Sequence, residues 1–205
     1  KVKVINFGVN FQNFFKDFNI KKIEKYFDIL FIGQKSLRKG LHYLIEAFQN
    51  FKHPYKRLHI VGSDTDDKKF FIKKLKHENI KVYGHVPQLQ LNDIINKCHV
   101  FVLPSIEDGF GIVVLQAAAA GCPAIVSENT GALDFVTKNN AGIVVPIKNS
   151  MAIKNSLESL ADDTTLLNQL SINAIAGAKK NTWSNYVDTL DNFLSKFKKN
   201  KIKNV

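Results

Sequence analysis

Apolar positions along this chain fall into two rhythms. From about residue 28, short runs rich in β-branched and aromatic residues alternate with longer stretches whose apolar positions recur at helical spacing. The runs 28–33, 57–62, 80–83, 99–103, 123–127 and 142–145 read as strands. Several are apolar on both faces, as strands of a parallel sheet covered on both sides must be. Between them, 39–51, 66–76, 91–97 and 112–120 read as helices that cover the sheet. After Pro146 the strand signal stops, and 151–160, 165–179 and 183–197 read as three amphipathic helices, with Trp183 anchoring the last. This order predicts an α/β fold, a Rossmann-like parallel sheet of about six strands flanked by helices with a C-terminal helical tail. The first twenty residues begin with strand-like alternation and pass into a polar-aromatic connector without a clear period. In the absence of an internal repeat or low-complexity linker, residues 1–205 read as one domain.

Composition narrows the function classes. A hydrophobic content of 45% with 11% aromatic residues supplies enough apolar surface to offset the ordering entropy, which excludes a mainly disordered chain. No apolar run approaches the length that crosses a bilayer, and the N-terminal residues lack the charged-then-apolar pattern of a signal peptide. Cys98 and Cys122 lie in apolar stretches without C-x-x-C spacing, which predicts buried reduced thiols and a cytoplasmic setting. The six histidines show no metal-ligand spacing, so no metal is expected. A net charge of +11 implies attraction to polyanions without choosing among them. Lys196, Lys198, Lys199, Lys201 and Lys203 form either a solvated tail or a peripheral contact with the anionic inner face of a membrane. Basic residues interleaved with aromatics, the sign of a nucleic-acid-binding module, are missing, and no specific nucleic-acid partner is expected.

Chemistry concentrates in residues 101–127, FVLPSIEDGFGIVVLQAAAAGCPAIVS, which run strand, acidic glycine-containing loop, apolar helix, turn and strand. In an open parallel sheet, ligands bind beyond the carboxyl ends of the strands, and the loop from Ser105 to Gly111 falls there. Free N–H groups and the helix dipole at Ile112 suit a phosphate. Gly109 and Gly111, flanking Phe110, permit the close backbone approach that a loop around a diphosphate requires. Asp108 supplies an acceptor for sugar hydroxyls, and Gln116, the one polar residue of that helix, falls one turn after Ile112. The same residues also fit a plain strand-to-helix turn followed by a core amide.

The pattern E-D-G-F-G-x-x-x-x-Q-A, followed by A-G-C-P-A-I-V-S, resembles the E-x7-E region of the glycogen-synthase-like retaining glycosyltransferases, glycosyltransferase family 4. Asp108 and Gln116 occupy the places of that family's two acidic residues, eight positions apart; Asp has the shorter arm and Gln gives up the charge. A second resemblance lies in ILFIGQKSLRKGLHYLIEAF, residues 29–48, which is similar to the family's strand, G-R-x-x-x-x-K-G loop and helix. Lys39 takes the place of the phosphate-binding lysine, and Gln34, after Gly33, stands where the family has arginine; Arg38 and Lys35 are the candidate substitutes. LHIVGS at 58–63, VYGHVP at 82–87, TGALDFV at 130–136, INFGVN at 5–10 and the terminal TW at 182–183 extend the resemblance over nearly the whole chain.

The resemblance implies one half of a GT-B fold, the C-terminal domain that holds a nucleotide-sugar, with the N-terminal acceptor domain absent from this chain. It implies Lys39 and Asp108 as catalytic residues, and Gly33, Gln34, Arg38, Gly62, Val86, Gly109, Phe110, Gly111, Ile112 and Gln116 as donor-binding residues. The donor is a substrate, UDP- or GDP-linked, and no cofactor is implied. The expected activity is retaining transfer of a sugar to an acceptor hydroxyl of a glycan or lipid, in a hexosyltransferase whose isolated donor half is inactive. A non-catalytic nucleotide-binding homologue and a nucleotide-sugar epimerase of the same two-domain build are the competing readings. The basic nucleic-acid-binding module is the third.

Overall fold

The computed structural model describes residues 4–23 and 25–202, with side chains described up to residue 195. Its centre is a sheet of six strands: β1 (Phe27–Ile32), β2 (Lys56–Val61), β3 (Ile80–Gly84), β4 (Val100–Leu103), β5 (Ala124–Ser127) and β6 (Gly142–Val145). All pairings are parallel, in the order β3-β2-β1-β4-β5-β6. The chain therefore builds outward from β1 to β3, returns to the centre at β4 and builds the other way. That reversal leaves a crevice beyond the carboxyl ends of β1 and β4, the place where open α/β sheets bind ligands.

Both faces of the sheet are apolar. Leu30, Ile32, Phe101, Leu103 and Val126 point to one side, where α3 (Gln88–Lys97) and α4 (Ile112–Ala119) cover them with Leu91, Ile95, Val114 and Leu115. Ile29, Phe31, Leu58, Ile60 and Val102 point to the other, covered by α1 (Leu41–Asn50) and α6 (Ser150–Asp162) through Leu44, Phe48, Leu157 and Leu160. Each such side chain, fully buried, contributes about 1.5–3 kcal/mol of transfer free energy. Helix α7 (Thr164–Lys180) closes the edge, giving Leu170 to one cluster and Ala174 and Ala178 to the other. The chain ends in α8 (Trp183–Ile202).

Two elements differ from the periodicity. The helix expected over 66–76 is reduced to α2 (Lys68–Phe71), followed by turns. Lysines at 68, 69, 73, 74 and 76 place like charges one turn apart, which weakens a regular helix. Residues 130–136, to which the periodicity gave no helix, lead into α5 (Leu133–Asn139), a short helix ended by Asn140 in the left-handed conformation at φ 46°. Cys98 and Cys122 are buried free thiols, and burial pushes both up, Cys122 to about 11. Among the described residues no helix is long and apolar enough to cross a membrane. The side chains of the C-terminal lysines from Lys196 onward lie outside the described residues.

A polar network lies on one face of the sheet towards the amino ends of β1 and β2, and Tyr83 joins it from the fourth position of β3. The Asp28 carboxylate, 1% exposed, accepts from Arg57 Nε at 2.6 Å, Arg57 Nη2 at 2.8 Å and His59 Nε2 at 2.9 Å. His59 Nδ1 in turn lies 2.8 Å from the Tyr83 hydroxyl. Burial alone raises the Asp28 carboxyl, but the hydrogen bonds from His59 and Arg57 outweigh it and hold the group down at about 2. Its folded value lies below its ordinary 3.8, so the stabilisation is complete above the latter and is lost as pH falls towards the former. Asp28→Asn is therefore expected to lower stability at neutral pH by about 2 kcal/mol. In denaturant titrations the gap to the parent chain should close between pH 4 and pH 2; a gap independent of pH contradicts this account.

Candidate functional site

Three loops meet at the carboxyl edge of the sheet. The first runs from Gly33 to Gly40, between β1 and α1. Gly33 N–H donates to Val61 at 2.9 Å and Gly62 N–H to Gly84 at 2.7 Å, so the ends of β1, β2 and β3 stand side by side. The second loop, from Pro104 to Gly111, joins β4 to α4; the third, from Glu128 to Ala132, joins β5 to α5.

Backbone contacts fix the first loop against the second. Ile106 N–H donates to the Arg38 carbonyl at 2.9 Å, and the exposed Arg38 guanidinium donates to the Glu107 carbonyl at 3.2 Å. Gly40 adopts φ 67° in the left-handed region, and a Cβ there would sit 1.9 Å from the Pro104 carbonyl oxygen. The third loop fixes the second from the far side: Asp108 N–H donates to Asn129 at 3.2 Å and Gly131 N–H to Asp108 at 3.0 Å. Asp108 is thus held by its own backbone between two neighbours.

Its side chain meets Lys39. The Lys39 ammonium donates to Asp108 Oδ2, and the two side chains are only 15% and 11% exposed. A charge pair this far out of water feels a lower effective dielectric than a surface pair, which strengthens its mutual attraction and any exchange of partners with an incoming charge. The pair lines a cavity of about 350 Å³ shared with Gly33, Phe110, Gly111 and Ile112. At its inner end α4 begins. Gly111 holds φ 68°, and the first hydrogen bond of the helix runs from Val114 N–H to the Gly111 carbonyl at 2.8 Å. The N–H groups of Ile112 and Val113 precede that bond, and both residues line the cavity at the positive end of the helix dipole.

Other expected residues are placed differently. Gln34 and Arg38 are exposed and lie outside the lining of this cavity, as do Gly62, the half-buried Val86 and Gly109. Gly109 has open space around its Cβ position. Gln116 is half-buried on α4, outside the same lining, and its amide makes no hydrogen bond among the described residues. Lys35 does not substitute for an arginine: it is 4% exposed, and its ammonium is engaged by the Gly62 carbonyl at 2.8 Å and Asp64 at 3.1 Å. Among the described residues no group of three or more His, Cys, Asp or Glu is placed to hold a metal ion.

Phe7 and Trp183 are residues that periodicity missed. Both line the cavity, with Phe7 edge-on to Phe110 at 5.2 Å and 5.9 Å from the Trp183 ring. Trp183 starts α8 and remains 42% exposed, so its role is to meet the N-terminal segment more than to anchor its own helix. Val9 N–H donates to Asn181 at 2.9 Å, and Gly8 lies so close to Thr182 and Trp183 that any Cβ would clash. Only the INFGVN and TW matches at either end of the chain hinted at this meeting.

A family model described as glycosyl transferases group 1 matches residues 13–177. The capsular polysaccharide biosynthesis glycosyltransferase CapM of Staphylococcus aureus is 30% identical over 183 residues, covering 81% of this chain and 47% of that protein. The crystal structure of Anabaena HepE in complex with UDP and glucose superposes with a TM-score of 0.82 at 18% identity, over 95% of this chain and 57% of that one. The C-terminal domain of a glycosyl transferase group 1 family protein from Francisella tularensis superposes with a TM-score of 0.74 at 20% identity, over 84% of this chain and 97% of that domain. The chain thus spans about half the length of the full-length relatives it matches.

The loop contacts give a direct test of packing. Gly40→Ala is expected to cost about 2 kcal/mol or more, because both its φ and the Pro104 carbonyl oppose a methyl group. At this chain length that lowers Tm by roughly 5 °C or more. Gly109→Ala, with open space, should leave Tm unchanged in the same calorimetric scan; equal effects would contradict the loop geometry.

Proposed function

The chain belongs to the group 1 glycosyl transferases, and we propose that it holds the nucleotide-sugar donor at the carboxyl edge of its sheet. The observation that carries this reading is the half-buried Lys39–Asp108 pair, set in one cavity with the unpaired start of α4. In this reading the donor diphosphate takes the N–H groups of Ile112 and Val113 and draws the Lys39 ammonium away from Asp108. Asp108, released, accepts hydroxyls of the sugar. As the glycosidic bond breaks, Lys39 and the amides from Gly109 to Ile112 stabilise charge growing on the departing phosphate. That phosphate then accepts the proton of the attacking hydroxyl on the same face of the sugar, which gives retention. Positioning supplies most of the rate.

UDP is the favoured nucleotide, supported by the UDP-bound Anabaena neighbour, and the polysaccharide-synthesising relative supports a glycan or lipid-linked acceptor. Gln116 and Val86 are assigned to the nucleoside end and Arg38 to steadying the Asp108 loop. No cofactor takes part. We assign the acceptor contacts to the part of the relatives that this chain does not cover, and expect these residues by themselves to bind donor without turning it over.

Calorimetric titration with UDP and GDP tests the reading. UDP is expected to saturate one site, and Lys39→Ala to weaken it at least tenfold, about 1.4 kcal/mol. Gly109 stands between Asp108 and Phe110, which line the cavity, so Gly109→Ala, neutral for folding, should weaken binding as well by crowding the loop that receives the diphosphate. Binding of UDP that is indifferent to both variants would overturn the proposal.

A further inference from the structure

A second and larger cavity, of about 490 Å³, opens at the opposite edge of the sheet, beside the amino ends of β1 to β3 and the end of α3. It shares no lining residue with the cavity around Lys39. Its floor is the network of Asp28, Arg57, His59 and Tyr83, in which the buried carboxylate is matched by the guanidinium. The rim is different. Lys21 comes from the N-terminal segment, Lys81 from β3 and Lys97 from the last position of α3, so three separate elements bring an ammonium group to one opening. Lys35, Lys39, Lys68, Lys138 and Lys154 each pair with a carboxylate, whereas Lys21, Lys81 and Lys97 have no ion-pair partner among the described residues. Lys81 is held towards the cavity, its ammonium 4.8 Å from the centre of the Tyr83 ring. Among the described residues Glu78 is the one carboxylate on the rim, which leaves an excess of positive charge over a partly open volume that fits a small molecule.

We propose that this cavity is a second anion site, which binds a small molecule carrying two or more phosphate charges, independently of the donor cavity. Phosphate oxygens are met by Lys21, Lys81 and Lys97, and the body of the ligand rests on Ile23, Ile94 and Tyr83. The site stands whether or not the donor reading does, because neither its residues nor its charges are shared with Lys39.

Inorganic pyrophosphate, titrated into the nitrogen-15-labelled chain and followed by amide chemical shifts, tests this. Saturable shifts are expected at Lys81, Tyr83 and Lys97, unchanged in Lys39→Ala and weakened at least tenfold in the double variant K81E/K97E. Both lysines are exposed, so the double variant should retain its spectrum elsewhere. Shifts confined to Gly109–Ile112 and abolished by Lys39→Ala would overturn the site, as would unsaturable shifts spread over the exposed lysines. Sedimentation with phosphatidylglycerol vesicles separates a free phosphate from a lipid headgroup. Vesicle binding that needs Lys81 and Lys97 but is not displaced by pyrophosphate would assign these lysines to a membrane surface and overturn the proposal.

Discussion

The interaction on which the candidate site depends is the contact between Lys39 and Asp108. It joins two loops that are 69 residues apart in sequence and adjacent only because the sheet reverses direction between β1 and β4. Everything around it serves to keep that pair half-buried and in place. Gly40 lets the first loop press against Pro104, Gly131 lets the third press against the second, and the start of α4 brings free N–H groups to the same cavity. An ammonium and a carboxylate in such a place are poised for exchange, since an incoming diphosphate offers the lysine more charge than the aspartate does. The geometry thus suits a ligand that is anionic at one end and rich in hydroxyls next to it.

Much of this was legible in the sequence. The alternation of short apolar runs with helical stretches gave six strands close to their observed limits, because strands buried on both faces are apolar throughout and are bounded by polar turns. The segment from Phe101 to Ser127 supplied one loop of the candidate site, read from its strand, acidic glycine-containing loop and apolar helix, although the same residues also fit a plain strand-to-helix turn. Lys39 and Asp108, chosen by resemblance to a family pattern, meet in space.

What escaped the sequence was long-range or locally frustrated. Phe7 and Trp183 reach the same cavity from the two ends of the chain, a proximity that no periodicity encodes. Lys35 looked as available as any lysine in a polar loop, yet the close approach of Gly62 to Gly33 gives its ammonium a buried carbonyl to bind. Helix α5 was hidden because its seven residues are too few to show a period, and α2 was overestimated because apolar spacing ignores the repulsion of its lysines. The Asp28 network was invisible for a similar reason: its members lie on three strands, and only the parallel register brings Asp28 opposite Arg57 and beside His59.

The most direct test of the central claim is a crystal structure of the chain soaked with UDP. The account predicts nucleotide density in the cavity between Lys39 and the start of α4, with the Lys39 ammonium on a phosphate oxygen and parted from Asp108. A nucleotide bound elsewhere, or one in that cavity with the Lys39–Asp108 contact intact, would contradict it.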